Sequence, residues 1–233
     1  MRQRRFILRI NVVFLVLFSG STVLADSEVL IPAGKFMMGS YKGTYSEQPV
    51  HQVWTDAFYL DRFEVSNKDY EKLIPEAKRS HASSCDDCPV TLINWDEAKA
   101  YCENLGKRLP TEAEWEKARR GPENNNGISF AKGARFGLSI NAGTAPVQSP
   151  AENGYGLHHM EGNVWEWVSD WFDDNYYANS PEKNPKGPKE GYRKVVRGGS
   201  WYNDSWYLQA GMRFRLAPDS TLNSLGFRCA KNS

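Results

Sequence analysis

The chain has 233 residues, of which 40% are hydrophobic and 24% are charged, as is typical of a soluble globular domain. Its 29 basic and 28 acidic residues nearly cancel, for a net charge of +1. This balance argues against the strongly basic surface that nucleic-acid binding requires, so we expect no nucleic-acid partner.

The first 25 residues have the order of a signal peptide. Four arginines, ending at Arg9, form a basic start, an apolar run follows from Ile10 to Phe18, and small residues lead to Ala25. The apolar run is shorter than the ~20 residues that a membrane span needs. We therefore predict cleavage after Ala25 and no stable membrane anchor, an uncleaved anchor being the alternative. The mature part, residues 26–233, keeps 25 basic and 28 acidic residues, and we expect it in the periplasm or secreted.

Short strands are predicted at the start of the mature part. Val29–Ile31 and Lys35–Gly39 flank a turn at Pro32-Ala33-Gly34, and this order predicts a β-hairpin. A third strand is predicted at Phe58–Leu60.

Three helices are predicted from their caps. The first begins near Ser66 and ends before Pro75. Residues 94–97 (Asn-Trp-Asp-Glu) and 111–114 (Thr-Glu-Ala-Glu) are capping boxes that open two more helices, the last reaching about Arg119. The apolar side chains of the middle helix fall on one face and are expected to be buried: Trp95, Ala98, Cys102 and Leu105.

The second half of the chain is rich in loops. A turn is predicted at 124–127. Strands are predicted at Val164–Val168, Lys194–Arg197 and Leu225–Ala230. With no repeat and no linker, the pattern predicts one α+β domain, residues 26–233.

Several long motifs follow one another through the mature chain. They are 31–40, 47–53, 89–95, 98–105, 106–116, 153–157, 162–167, 197–201 (Arg-Gly-Gly-Ser-Trp) and 225–228 (Leu-Gly-Phe-Arg). In this order they resemble the formylglycine-generating enzyme family, also called sulfatase-modifying factors. The resemblance covers roughly the whole mature chain and implies a C-type-lectin-like fold with little regular secondary structure.

The sequence departs from that family at its redox centre. In the copper-dependent oxidases of the family, two cysteines follow the Gly-Gly-Ser segment, and the matching positions here are Asn203 and Leu208. No cysteine occurs between Cys102 and Cys229. Because Cu(I) prefers soft thiolate ligands, copper is not expected as a cofactor. The chain resembles the branch without active-site cysteines.

The resemblance places a substrate cleft around the same segment. The candidate cleft residues are Ser200, Asn203, Arg213 and Arg215. Two arginines there are suited to an anionic or peptide ligand through bidentate hydrogen bonds. The expected partner is a peptide, a protein or a small molecule.

A calcium site is also implied by the resemblance. The matching positions are His159, Gly162, Val164 and Glu166, of which the two middle residues would use backbone carbonyls. Calcium prefers oxygen ligands, so His159 degrades the site and at most one weakly bound calcium is expected. An iron site that combines His158 and His159 with a carboxylate is disfavoured, because adjacent residues on a strand point to opposite faces.

Four cysteines in an exported chain suggest disulfides. Cys102 lies on the apolar face of its helix and Cys229 ends the last predicted strand, and the resemblance implies a bridge between them. Cys85 and Cys88 are interpreted as a local disulfide, with a redox pair or half of a metal site as alternatives.

Three function classes stay open. The first is periplasmic maturation or modification of a protein or small molecule without copper–thiolate chemistry. The second is a non-catalytic binding module that uses the cleft for a peptide or glycan, and the third is an accessory subunit. The sequence does not decide whether the chain is an enzyme.

Overall fold

The computed structural model describes residues 27–123 and 130–233, so the predicted signal peptide and the predicted turn at 124–127 lie outside the described residues. Within these ranges no helix has the length and apolar character needed to cross a membrane. The first half contains β1 (Glu28–Ile31), β2 (Gly34–Met38), β3 (His51–Thr55), β4 (Phe58–Asp61), α1 (Asn67–Glu71), α2 (Trp95–Asn104) and α3 (Glu112–Arg120). The second half contains β5 (Trp165–Trp171), α4 (Tyr176–Asn179), β6 (Lys194–Arg197), β7 (Phe214–Leu216), β8 (Leu225–Gly226) and β9 (Ala230–Asn232).

Both predicted capping boxes are present. At α2 the Asn94 side chain accepts from the Glu97 amide, and the Glu97 carboxylate accepts from the Asn94 amide, each at 2.9 Å. Thr111 and Glu114 make the same reciprocal pair at α3, and Ser66 caps α1. These bonds satisfy amides that have no partner within the helix, which explains why the helices begin where they do.

The prediction that the whole apolar face is buried is wrong for Leu105 and holds only in part for Trp95, which stays partly exposed. Ala98 and Cys102 are fully buried, but 46% of Leu105 is exposed. The helix ends at Asn104, so Leu105 leaves the helical period and turns away from the core.

The strands of the described residues form three sheets, with orders β1-β4-β9, β2-β3 and β7-β6-β5-β8. The predicted β1–β2 hairpin is wrong, because β1 pairs with β4 and β2 pairs with β3. Lys117 on α3 binds the link between the two strands. Its ammonium donates to the backbone oxygens of Pro32 and Gly34, at 2.7 and 3.0 Å, where the chain leaves one sheet for the other.

The predicted terminal strand is split in two. β8 pairs with β5 in parallel, and β9 pairs with β4 in the other sheet. The residues between them, Phe227, Arg228 and Cys229, are fully buried and tie this crossover to the core. The core itself fills the space around the four-stranded sheet and includes three fully buried tryptophans: Trp115, Trp167 and Trp201.

The two expected disulfides are confirmed. Cys102 on α2 is bonded to Cys229, across 127 residues of sequence, and Cys85 is bonded to Cys88. All four cysteines of the chain are therefore paired.

Candidate functional site

The predicted active-site segment begins with Gly198 and Gly199, whose φ angles are 98° and 75°. Glycine adopts such angles without steric cost. A Cβ atom on Gly199 would also lie 2.8 Å from Cδ1 of Leu208. The turn therefore packs directly on Leu208 and sets the course of the chain through Ser200 and Asn203.

Ser200 and Asn203, two of the candidate cleft residues, lie together. The hydroxyl and the amide of Ser200 both donate to Oδ1 of Asn203, at 2.6 and 3.0 Å. Ser200 is fully buried and Asn203 is partly exposed. The carbonyl oxygen of Asn203 is therefore used inside the protein, and the side chain has only its Nδ2 group left for a ligand.

The segment has no thiol. Leu208 is 1% exposed and packs in the core, and the four cysteines are held in disulfides. As a result, no pair of thiolates is available at positions 203 and 208 to hold Cu(I).

Arg213 does not face a cleft, which corrects the sequence prediction. It is 3% exposed, and its guanidinium donates to both oxygens of Glu112, from Nε at 2.8 Å and from Nη2 at 3.0 Å. It also donates to the backbone oxygens of Ser46 and Asp173. The N-terminal turn of α3 brings Glu112 into contact with this arginine, and four hydrogen bonds hold the guanidinium in the core.

Arg215, two residues further on, is partly exposed and lies 3.9 Å from Asp174. Arg213 and Arg215 both stand over the Phe172 ring, at 4.7 and 4.6 Å from its centre. Arg215 borders a shallow depression of about 680 Å³ that Ser200 and Asn203 do not line. The four predicted cleft residues therefore do not form one site.

A buried ionic network connects α3 with β6 and with Arg213, just before β7. Arg197 donates to Glu112 at 3.2 Å and to Glu116 at 2.6 Å, and Glu116 also pairs with Arg120 at 2.7 Å. Burial by itself would raise the pKa of Glu116, but Arg120 and Arg197 outweigh it and lower this pKa. With Arg213 on Glu112, each of the two buried carboxylates is paired with two arginines, as buried charges require, while Nε of Arg197 has no hydrogen-bond partner among the described residues.

The positions implied for calcium are Gly162, Val164, Glu166 and His159. Glu166 forms a bidentate ion pair with Arg228, at 2.8 and 2.7 Å, and accepts from Nε1 of Trp115 at 2.9 Å. The Arg228 guanidinium therefore binds both oxygens of the Glu166 carboxylate, which would be the strongest oxygen ligand for calcium.

His159 is 1% exposed, and its Nε2 atom lies 3.2 Å from the backbone oxygen of Pro146. Burial lowers the pKa of His159 to about 4, so the ring is neutral at neutral pH. A nitrogen donor and a carboxylate held by arginine do not fit a calcium ion as they are arranged. Within 27–123 and 130–233, no three His, Cys, Asp or Glu side chains are grouped in a way that could hold a metal.

The sequence did not single out a buried polar group beneath the active-site segment. Glu64 is 2% exposed and accepts from Nδ2 of Asn163 at 2.7 Å, and the Asn163 backbone oxygen accepts from the Trp201 amide at 3.0 Å. Burial, and then the charge of Glu166, raise the pKa of Glu64 well above its usual range. Its Oε1 atom is buried without a hydrogen-bond partner among the described residues. Glu64 lies in the short link between β4 and α1, and nothing in the sequence around it indicated that its carboxyl group is buried.

The family described as "Sulfatase-modifying factor enzyme 1-like domain" matches residues 16–233. The formylglycine-generating enzyme of Streptomyces coelicolor is 32% identical to this chain over an alignment of 283 positions, gaps included. The alignment covers 88% of this chain and 89% of that protein. The "Inactive C-alpha-formylglycine-generating enzyme 2" of Bos taurus is 30% identical and covers 94% and 92% of the two chains. The solved structure of "Treponema denticola variable protein 1" has the same fold, with a TM-score of 0.76, 24% identity and coverage of 88% and 95%.

Proposed function

Because this chain belongs to the sulfatase-modifying factor family, we propose that it is an exported member that binds a peptide, protein or small-molecule ligand and does not make formylglycine by copper–thiolate chemistry. The family membership supplies the scaffold for this proposal. The expected lack of copper–thiolate chemistry follows from Asn203 and Leu208, which stand where the copper-dependent members have two cysteines.

The state of Asn203 and Leu208 carries the proposal. Asn203 has no thiolate and its carbonyl oxygen accepts two hydrogen bonds from Ser200, while the Leu208 side chain is packed in the core. An amide and an aliphatic side chain are poor Cu(I) ligands, so the step that needs two soft thiolates lacks its metal. A relative named as inactive, from Bos taurus, agrees with a family branch that keeps the scaffold without the oxidation.

Export is supported by the two disulfides. Disulfides persist in oxidising compartments such as the periplasm and are rare in the reducing cytosol. A chain whose every cysteine is paired fits an exported protein.

Maturation or modification of a protein or small molecule by other chemistry is the second candidate. The observation in its favour is Glu64, a buried carboxyl with a strongly raised pKa that reaches Trp201, in the active-site segment, through Asn163. Perturbed carboxyls of this kind are frequent at catalytic sites, although buried polar networks also contain them.

The proposal is tested with a peptide that carries the sulfatase cysteine motif. The purified mature chain and the Streptomyces coelicolor enzyme are incubated separately with the peptide, copper and oxygen, and the peptide mass is followed. We expect the relative to convert its cysteine and this chain to leave the peptide unchanged. Conversion by this chain at a comparable rate would overturn the proposal. Elemental analysis of the same preparation then decides for or against a different metal.

A further inference from the structure

A groove of about 700 Å³ lies apart from the active-site segment. Trp95, Lys99 and Glu103 of α2 line it, and their spacing of four residues places them on one face of that helix. The turn between β3 and β4, residues 184–186 and the end of β9 line it as well. Its volume is within the range of about 300–1,000 Å³ that small-ligand sites occupy.

The indole of Trp95 is held rigidly at this groove. The ammonium of Lys194 lies 3.7 Å from the centre of the Trp95 ring and 3.8 Å from that of Trp171. Nε1 of Trp95 donates to the backbone oxygen of Val168 at 2.8 Å. Trp95 is partly exposed, and these contacts hold its ring in place, so a ligand that stacks on the exposed part would lose little binding energy to side-chain ordering.

The charges that line the groove balance one another. Lys99 pairs with Glu103 at 2.8 Å, and Arg108 pairs with Glu114 at 2.7 Å. The charged side chains of the lining are three cations and three anions: Lys99, Arg108, Lys186, Asp56, Glu103 and Glu114. A charged ligand would have to compete with these pairs, whereas a neutral ligand leaves them intact.

Planar polar side chains also line the groove. The Asp56 amide donates to Oδ1 of Asn184 at 2.8 Å, and Nδ2 of Asn184 donates to Oδ2 of Asp56 at 2.7 Å, so the two side chains fix each other. The backbones of Arg108 and Ala230 are joined by two hydrogen bonds, at 2.9 and 2.7 Å. The edge of β9 is therefore occupied at Ala230, and a peptide cannot add there as a further strand.

We propose that this groove binds a neutral oligosaccharide, with Trp95 stacked on the apolar face of a sugar ring and Asp56 and Asn184 bonded to its hydroxyl groups. A sugar ring needs both an apolar platform and fixed donors and acceptors, and the groove combines them without a net charge. The proposal is independent of the function proposed for the active-site segment.

The test measures binding of the N-acetylglucosamine tetramer and of cellotetraose to the mature chain by calorimetry and tryptophan fluorescence. We expect at least one tetramer to bind, and Trp95→Ala to weaken that binding about tenfold or more. Trp95→Phe keeps an aromatic platform and should lose less. Because Trp95→Ala removes a packed ring, Asn184→Ala provides a second variant at the groove and should also weaken binding.

Tyr192→Ala is the control, since Tyr192 is 96% exposed and does not line the groove. Binding should be unchanged in this variant. The proposal is overturned if neither tetramer binds at millimolar concentration, or if binding survives unchanged in both Trp95→Ala and Asn184→Ala. Binding of a sulfated tetrasaccharide or an uncharged peptide to this groove in place of the neutral sugars would also overturn it.

Discussion

Replacement of Arg213 by methionine should destabilise the fold strongly, because the change leaves Glu112 buried with a weaker counter-charge. Glu112 would keep one contact, with Arg197 at 3.2 Å, and would lose both hydrogen bonds from Arg213. Breaking a buried ion pair on one side costs about 3–5 kcal/mol. Total stabilities are about 5–15 kcal/mol, so the loss is a large share of what holds the domain together.

Urea unfolding at neutral pH, followed by tryptophan fluorescence with the disulfides intact, measures this loss. With a slope of about 2 kcal/mol per molar urea, the midpoint should fall by about 1.5–2.5 M. The double variant Arg213→Met with Glu112→Gln should recover part of the stability, because the unpaired charge is then gone.

Arg215→Met is the matched control, two residues further on in β7, which begins just after Arg213. Arg215 is partly exposed and only 3.9 Å from Asp174, so its removal should cost less than about 1 kcal/mol. Equally small losses of unfolding free energy in the two variants would refute the argument. They would favour the exposed position in a cleft that the sequence had predicted for Arg213.

Four further outcomes are expected. His159 has its pKa lowered to about 4 by burial, so the unfolded chain takes up a proton first and stability falls by up to about 3 kcal/mol as pH drops from about 6.5 to 4. His159→Asn, which suits the φ angle of 53° at this position, should remove this pH dependence of stability. Urea unfolding of the variant and the wild type between about pH 6.5 and 4 measures it, and an unchanged pH dependence in the variant would contradict the prediction. Replacing both Cys102 and Cys229 with alanine should lower the free energy of unfolding by about 5 kcal/mol on the chain-entropy model. A decrease below about 1 kcal/mol, measured by urea unfolding, would contradict stabilisation by loop closure. Calcium titration by calorimetry should show no more than one weak site, since Arg228 holds the Glu166 carboxylate, and two tight sites would refute that expectation. Mass spectrometry of the exported protein should find a chain that begins directly after Ala25, and a chain that still starts at Met1 would rule out this processing.

The helix starts were predictable because caps are local. Asn94 with Glu97, and Thr111 with Glu114, are three residues apart, and the side chains that satisfy the free amides are visible in the sequence itself. The Cys102–Cys229 bridge was also predictable, because the apolar face of α2 showed the direction of one thiol and the family resemblance named its partner.

Strand pairing was predicted less well. Turn residues between Ile31 and Lys35 are compatible with a hairpin, yet Ile31 pairs with Phe58 and Phe36 pairs with Val53. Pairing is decided by contacts between distant residues, and here a lysine on α3 binds the link between the two strands. Nothing in the local sequence reports that contact.

The family, the α+β class and the absence of the two cysteines were predictable from residue identity and motif order alone. What each polar side chain is used for became visible only in the folded chain. Arg213 and Arg215 are alike in sequence, but Glu112, 101 residues before Arg213, holds the first in the core while the second stays at the surface. The physical reason is that a buried charge must find its partner in space, and that partner can lie anywhere along the chain.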